Sequence, residues 1–202
     1  MHGNEKADVL IVDEATMMHF GLIILAATKL GAKEVVCFAD HEQVSFINRS
    51  STMRVHHEKI LHTAHYQSTH IYRVPQDIAK VLSRNYGKIT TSNKIKSSIV
   101  VKISPNPIDV LRNMTNTTVL TFKQSEKKTV KATYPDREVM TVHEAEGITR
   151  KRIALVRMGV ADNHLYMPNE NKLNPHQLVG ISRCTEELVY ITVKRDFLKT
   201  RC

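Results

Sequence analysis

Residues 9–15 read Val9-Leu10-Ile11-Val12-Asp13-Glu14-Ala15. An apolar run ends in an adjacent acid pair, and the sequence then turns amphipathic. A parallel strand buried on both faces reads as such a continuous apolar run. Acids at its carboxyl end would stand where open α/β sheets bind ligands. In a nucleotide hydrolase Asp13 would hold Mg²⁺, directly or through water, and Glu14 would orient or deprotonate the attacking water. A solvated strand end has the same local pattern, so the rest of the chain must decide between the two.

Working outward, Thr16 to Leu30 carries a helical pattern, with Thr16 as its expected N-cap and Gly31 as its stop. Glu34-Val35-Val36-Cys37-Phe38 is a short buried strand that leads into Ala39-Asp40-His41-Glu42-Gln43. Strand, helix and strand make a βαβ unit with a polar tip after each strand. Asp40 and Gln43 suit contact with a terminal phosphate or its attacking water, and an ordinary polar loop is the alternative. Between Asn48 and Ser68 the periodicity fails, and His56, His57, His62 and His65 accumulate without the paired spacing of a zinc site. The domain boundary is placed here, giving residues 1–64 and 65–202.

In the second part, Thr69 to Arg73 reads as a strand broken by Pro75, which opens a helix to about Tyr86 with Gly87 as its stop. Ile99 to Ile103 is a strand, and Pro105 and Pro107 delimit a turn. Val119 to Phe122 is a strand running into the polar start of a helix at Lys123 to Lys128. Glu138 to Val142 and Ile153 to Val156 are short strands, Pro175 to Cys184 is helical, and Leu188 to Val193 closes the pattern as a strand. Residues 194–202 read as a frayed basic tail. Strands alternating with helices on both sides of the boundary predict two α/β units with mainly parallel sheets.

The 202 residues are 42% hydrophobic and 24% charged, the composition of a globular protein of one large or two small domains. No stretch of 18 apolar residues and no basic-apolar leader occurs, so neither a membrane span nor a signal peptide is expected. Cys37, Cys184 and Cys202 lie far apart and fit no metal spacing, which points to reduced thiols and a cytoplasmic setting. The net charge of +9 is uneven. Residues 1–64 carry 6 Lys+Arg against 8 Asp+Glu, and residues 65–202 carry 23 against 12. A basic second part favours a polyanionic partner, RNA or DNA first.

The order of motifs resembles the superfamily 1 RNA helicases of alphavirus-like positive-strand RNA viruses, most closely the tobamovirus-like (virgavirus) replicase helicase. Val12-Asp13-Glu14-Ala15 resembles the Walker B element, and Ala39-Asp40-His41-Glu42-Gln43 the next motif, with Phe46-Ile47-Asn48-Arg49 following as in plant viruses. Tyr72-Arg73-Val74-Pro75 stands where the family has an arginine followed closely by proline. Thr121-Phe122-Lys123-Gln124-Ser125 and Thr141-Val142-His143-Glu144-Ala145-Glu146-Gly147-Ile148-Thr149 resemble later blocks, and Gly180-Ile181-Ser182-Arg183-Cys184-Thr185 matches the Ser/Thr-Arg motif.

The resemblance implies two RecA-like domains with ATP in the cleft between them. It assigns Mg²⁺ to Asp13, the catalytic base to Glu14 and γ-phosphate sensing to Gln43, with Asp40 beside it. Arg73 and Arg183 would act as arginine fingers on transition-state charge. Thr121, Gln124, Thr141, His143 and Thr149 would face single-stranded RNA, and Gly147 would lie where RNA movement is coupled to the nucleotide.

The sequence also departs from the family. No Gly-x-x-x-x-Gly-Lys-Ser/Thr occurs, so the phosphate-cradling loop is missing and the first domain is expected to lack its P-loop strand and helix. An upstream P-loop segment or other replicase domains are therefore implied partners. Ala39 replaces the usual glycine, and Glu146 replaces the usual glutamine, placing an acid near the RNA path. A fragment of a longer replicase helicase and a free-standing viral remnant both fit. A non-catalytic RNA-binding module derived from such a helicase is the alternative function.

Overall fold

A computed structural model describes residues 6–44, 65–161, 165–166, 172–196 and 198. The chain divides into two compact units, Met1–Gln67 and Ser68–Cys202.

The first unit is built on β1 (Val9–Val12) and β2 (Glu34–Cys37), joined through α1 (Phe20–Leu30). The strands pair in parallel, with Val9 opposite Glu34 and Val12 opposite Cys37. The helix begins later than the periodicity predicts. A short 3₁₀ turn occupies Ala15–Met17, and His19, not Thr16, is the N-cap, its Nδ1 accepting the Gly21 N–H at 3.1 Å. Thr16 is diverted because its hydroxyl donates to the Asp40 carbonyl at 3.4 Å. Gly31 closes the helix as expected, in the left-handed region at φ 65° that glycine adopts without steric cost. Val12, Ala15 and Ile23 form the small core, with Leu10 and Cys37 packed against it.

In the second unit β3 (His70–Ile71) pairs in parallel with β4 (Thr90–Thr91) across α2 (Gln76–Tyr86). Pro75 is the N-cap of α2 and not its first helical residue. Ile78, Ala79 and Leu82 form the buried stripe of α2. The remaining elements are β5 (Ile99–Ile103), α3 (Pro107–Leu111), β6 (Thr118–Thr121), α4 (Gln124–Thr133), β7 (Val139–Thr141), β8 (Arg150–Val156), α5 (Pro175–Ile181) and β9 (Cys184–Thr192). Their strands form one sheet in the order β5-β9-β8-β6-β7, and every pair is parallel. The α/β class with parallel sheets expected from the sequence is the one found.

Three boundaries differ for physical reasons. Pro107 opens α3 at its first turn, where its missing N–H costs nothing, instead of closing a turn. β8 starts at Arg150, ahead of its apolar half, because Arg150 and Arg152 already pair with Cys184 and Glu187 of the neighbouring strand. Cys184 begins β9 and does not end a helix, since α5 stops at Ile181. Leu111, Val119, Val130, Val139, Ala154 and Ile191 belong to the main core cluster. Asn174 and Gln177 cap α5 reciprocally, each side chain accepting the other's backbone N–H.

Among the described residues no helix is long and apolar enough to cross a membrane. Cys37 and Cys184 are free thiols. His56, His57, His62, Cys202 and the Phe46–Arg49 block lie outside the described residues.

Candidate functional site

Parallel strands end at the same edge of their sheet, so β1 and β2 deliver both polar tips of the first unit to one place. The Phe38 N–H donates to the Val12 carbonyl at 2.8 Å and the Ala15 N–H to the Phe38 carbonyl at 2.9 Å, which carries the pairing past the strands. Between them Glu14 turns through the left-handed region at φ 51°, uncommon for a residue with a side chain. Its N–H donates to Asp13 Oδ1 at 3.0 Å. On the neighbouring tip Asp40 organises its own turn. Its Oδ1 accepts the Glu42 N–H at 3.0 Å, and its Oδ2 accepts Gln43 Nε2 at 2.7 Å. The Thr16 hydroxyl ties the two tips through the Asp40 carbonyl. The structure therefore brings Asp13, Glu14, Asp40 and Gln43 to one sheet edge.

In the second unit the candidate residues separate onto two edges of the large sheet. At the carboxyl edge of β6 and β7 stand Thr121, Gln124, Thr141 and His143. Glu144 is their organiser. Its carboxylate accepts Gln124 Nε2 at 2.8 Å, Lys127 Nζ at 2.7 Å and the Thr141 N–H at 2.9 Å. Partial burial raises its pKa, but the Lys127, Thr141 and Gln124 donors together outweigh this and hold it at about 2. His143 Nδ1 lies 3.1 Å from Glu146 Oε2. The Thr121 hydroxyl turns toward the carbonyls of Lys123 and Met140.

Thr149 is not part of that group. It immediately precedes β8 at the amino edge, where Arg73 Nη1 donates to its hydroxyl at 3.1 Å. Arg183 enters the same edge just before β9, and its carbonyl accepts the Arg150 N–H at 2.9 Å. Its side chain is 1% exposed, with Nε donating to the Val179 carbonyl and Nη2 to the Ser182 hydroxyl, each at 3.1 Å. Gly147 lies on the connection between the two edges at φ 76°.

Several organising residues escaped the sequence reading. Asn93 Nδ2 donates to the carbonyls of Arg73 at 2.6 Å and Thr185 at 2.8 Å, clamping the Arg73 turn to β9. Asp77 accepts the N–H groups of Ser98 and Ile99 and the Ser98 hydroxyl, which fixes the start of β5. Neither carries a motif, and their partners lie about twenty residues away or, for Thr185, ninety-two. Glu126 was findable in principle, since it occupies the third position of α4 and reaches back to the Lys123 N–H. Cys184 is inert as a nucleophile, because burial pushes its thiol up to about 12.

Comparison with known proteins follows the same outline. The model of the viral superfamily 1 RNA helicase core domain matches residues 1–192. The replicase large subunit of Potato mop-top virus (isolate Potato/Sweden/Sw) is 33% identical over 204 residues, covering 96% of this chain and 11% of that protein. That of Soil-borne wheat mosaic virus (strain United States/Nebraska/1981) is 33% identical over 216 residues, covering 98% and 12%. The chain thus spans about a tenth of the length of these curated relatives. Among solved structures, the helicase nonstructural protein 10 of an arterivirus superposes with a TM-score of 0.59 at 16% identity, over 95% of this chain and 40% of that one. The PRRSV helicase gives 0.58 at 18% identity, over 92% and 35%. A further arterivirus helicase structure of similar likeness was solved in complex with DNA. These structural likenesses support the fold, while the family model reaches from the first strand to the last, and on that match the chain belongs to the viral superfamily 1 RNA helicase core domain family.

Proposed function

We propose that this chain is part of an NTP-dependent RNA helicase that binds ATP with Mg²⁺ and single-stranded RNA. The observation that carries this reading is the parallel pairing of β1 with β2, which sets the Asp13–Glu14 tip beside the Asp40–Gln43 tip. Asp13 suits Mg²⁺, being an exposed carboxylate whose Oδ1 is oriented by the Glu14 N–H. Mg²⁺ in nucleotide sites takes one or two carboxylates and fills its shell with water and phosphate oxygens. When bound, the ion would neutralise phosphate charge.

Glu14 would then take the proton of the attacking water. Gln43, whose Nε2 is engaged by Asp40, would orient that water through its carbonyl oxygen. Arg73 and Arg183 would offset charge developing on the phosphates, with Gly147 on the path between nucleotide and RNA. Thr121, Gln124, Thr141 and His143 would contact RNA, and Thr149 would link that contact to Arg73. The cytoplasm is the proposed compartment, in keeping with two free thiols.

Because the 202 residues hold no Gly-x-x-x-x-Gly-Lys-Ser/Thr, the phosphate cradle must come from another segment. The test compares ATP hydrolysis by the chain alone and by the chain joined to a P-loop-bearing segment, with and without single-stranded RNA. The joined protein is expected to show RNA-stimulated turnover that falls at least about 100-fold in Glu14→Gln, the lower range for losing a general base. A folded joined protein without turnover would overturn the reading. The surplus of basic residues in 65–202 favours one second reading, a non-catalytic RNA-binding module. It predicts RNA binding that weakens steeply between about 50 and 200 mM salt, with Glu14→Gln indistinguishable from the parent.

A further inference from the structure

Arg157 directly follows β8 and has no exposed surface. Its guanidinium is held on all sides. Nη1 donates to Asp196 Oδ2 at 2.7 Å, Nε to the Gly159 carbonyl at 3.0 Å and Nη2 to the Ala161 carbonyl at 3.3 Å, and the group lies 4.3 Å from the centre of the Tyr166 ring. The Asp196 side chain is 2% exposed and also accepts the Tyr190 hydroxyl at 2.6 Å. Asp196 lies beyond residue 192, where the family match ends, within the stretch whose composition reads as a frayed tail. Leu198 is buried as well. These two side chains of the tail are therefore packed into the fold.

Tyr166 carries the contact onward. Its hydroxyl donates to Glu126 Oε1 at 2.9 Å, and its ring meets Phe122 edge-to-face at 5.2 Å. Oε2 of Glu126 accepts the N–H groups of Phe122 and Lys123, each at 3.0 Å. Those two residues form the turn from Thr121 into Gln124, the first residue of α4. A chain of direct contacts therefore runs from Asp196 through Arg157, Tyr166 and Glu126 to the Thr121–Gln124 turn.

We infer that Asp196, outside the recognised family segment, is a positioning residue that sets the Thr121–Gln124 turn through Arg157, Tyr166 and Glu126. The consequence for RNA rests on the reading of Thr121 and Gln124 as RNA-facing; the geometry does not. Removing one member of a buried ion pair leaves an uncompensated charge, so Asp196→Ala threatens the whole fold and decides little. Tyr166→Phe is sharper. It keeps the ring beneath Arg157 and beside Phe122 and deletes only the hydroxyl bond to Glu126.

The experiment is residue-resolved amide hydrogen exchange on the 202-residue chain, with RNA affinity read from a fluorescein-labelled oligouridylate, for the parent, Tyr166→Phe and Asp196→Asn. Exchange at Phe122 and Lys123 should accelerate about tenfold in Tyr166→Phe, the equivalent of one lost hydrogen bond, and at least as much in Asp196→Asn. The amides of Ile153 to Leu155 should keep their rates, which a general loss of stability would not allow. Oligouridylate binding should weaken in step. Unchanged exchange at Phe122 and Lys123 in Tyr166→Phe would overturn the positioning role, even where Asp196→Asn fails to fold. Faster exchange with no oligouridylate binding by the parent would uphold the positioning role and overturn the RNA-facing reading of this turn.

Discussion

In the second unit β6 is buried throughout and Ile153 to Val156 of β8 have no exposed surface. In the first unit Val9, Ile11, Val35 and Val36 are 44%, 65%, 43% and 40% exposed. Both sheets are parallel and apolar. Yet the large one covers its inner strands and leaves only its edge strand β5 largely exposed, whereas the small one leaves both strands largely exposed. Parallel strands of this composition are normally buried on both faces. The acid pair and the Asp40–Gln43 tip therefore stand on a core of Val12, Ala15 and Ile23, whereas Thr121 and Thr141 stand on an extensive one. An apolar run announces a strand meant for burial, and it is silent on which part of a protein does the burying.

The contrast can be broken most directly by matched truncations. Leu155→Ala should cost about 2–5 kcal/mol in denaturant unfolding, the range for a buried leucine, while Ile11→Ala should stay within about 0.5 kcal/mol. Equal losses would mean that the exposed strand is covered in solution. A smaller effect is expected at Gly147, where an added Cβ meets nothing within 4 Å, so that only the positive φ opposes a side chain. Gly147→Ala should cost about 1–2 kcal/mol, read from the shift in denaturation midpoint. A neutral result would show that the connection relaxes to another backbone shape.

The smallest effect belongs to acid. Hydrogen bonding to Arg150 leads the causes that hold Glu138 at about 2 against its ordinary 4.5, and Glu144 lies equally low. Both carboxyls bind protons more weakly folded than unfolded. Their stabilising effect is thus complete above about pH 4.5 and lost as pH falls toward about 2. Both are partly exposed, so solvent screening keeps the effect small. Urea midpoints followed from pH 6 to pH 3 should fall less steeply in Glu138→Gln than in the parent, and parallel profiles would remove the Arg150 pair as a contributor.

Much of the fold was legible because it is local. Val9–Val12 and Ile99–Ile103 read directly from their apolar runs, and α2 from Pro75 at its start and Gly87 at its end. The acid pair was legible for the same reason, being contiguous with its strand. What escaped depends on partners far along the chain. Thr16 looks like a helix cap until Asp40, twenty-four residues on, claims its hydroxyl. Thr149 belongs by motif with Thr141 and His143, yet a short connection carries it to the opposite edge, to Arg73. Arg157 reads as one more surface cation in a basic chain, and only folding brings Asp196 to it across thirty-nine residues. β3 lies inside the strand read at residues 69–73, but its partner β4, two residues long, offers too little pattern to find.

Gly180 on α5 lies so close to β8 that an added Cβ would sit 3.0 and 3.1 Å from the two methyl groups of Leu155. The two positions share a single allotment of space, which Leu155 fills and Gly180 leaves to it. A methyl group at residue 180 must be met by a shift of the Leu155 side chain, and a larger group asks for more room than that shift supplies. Enlargement at position 180 is therefore coupled to the side chain at position 155, and the two substitutions are expected to be non-additive.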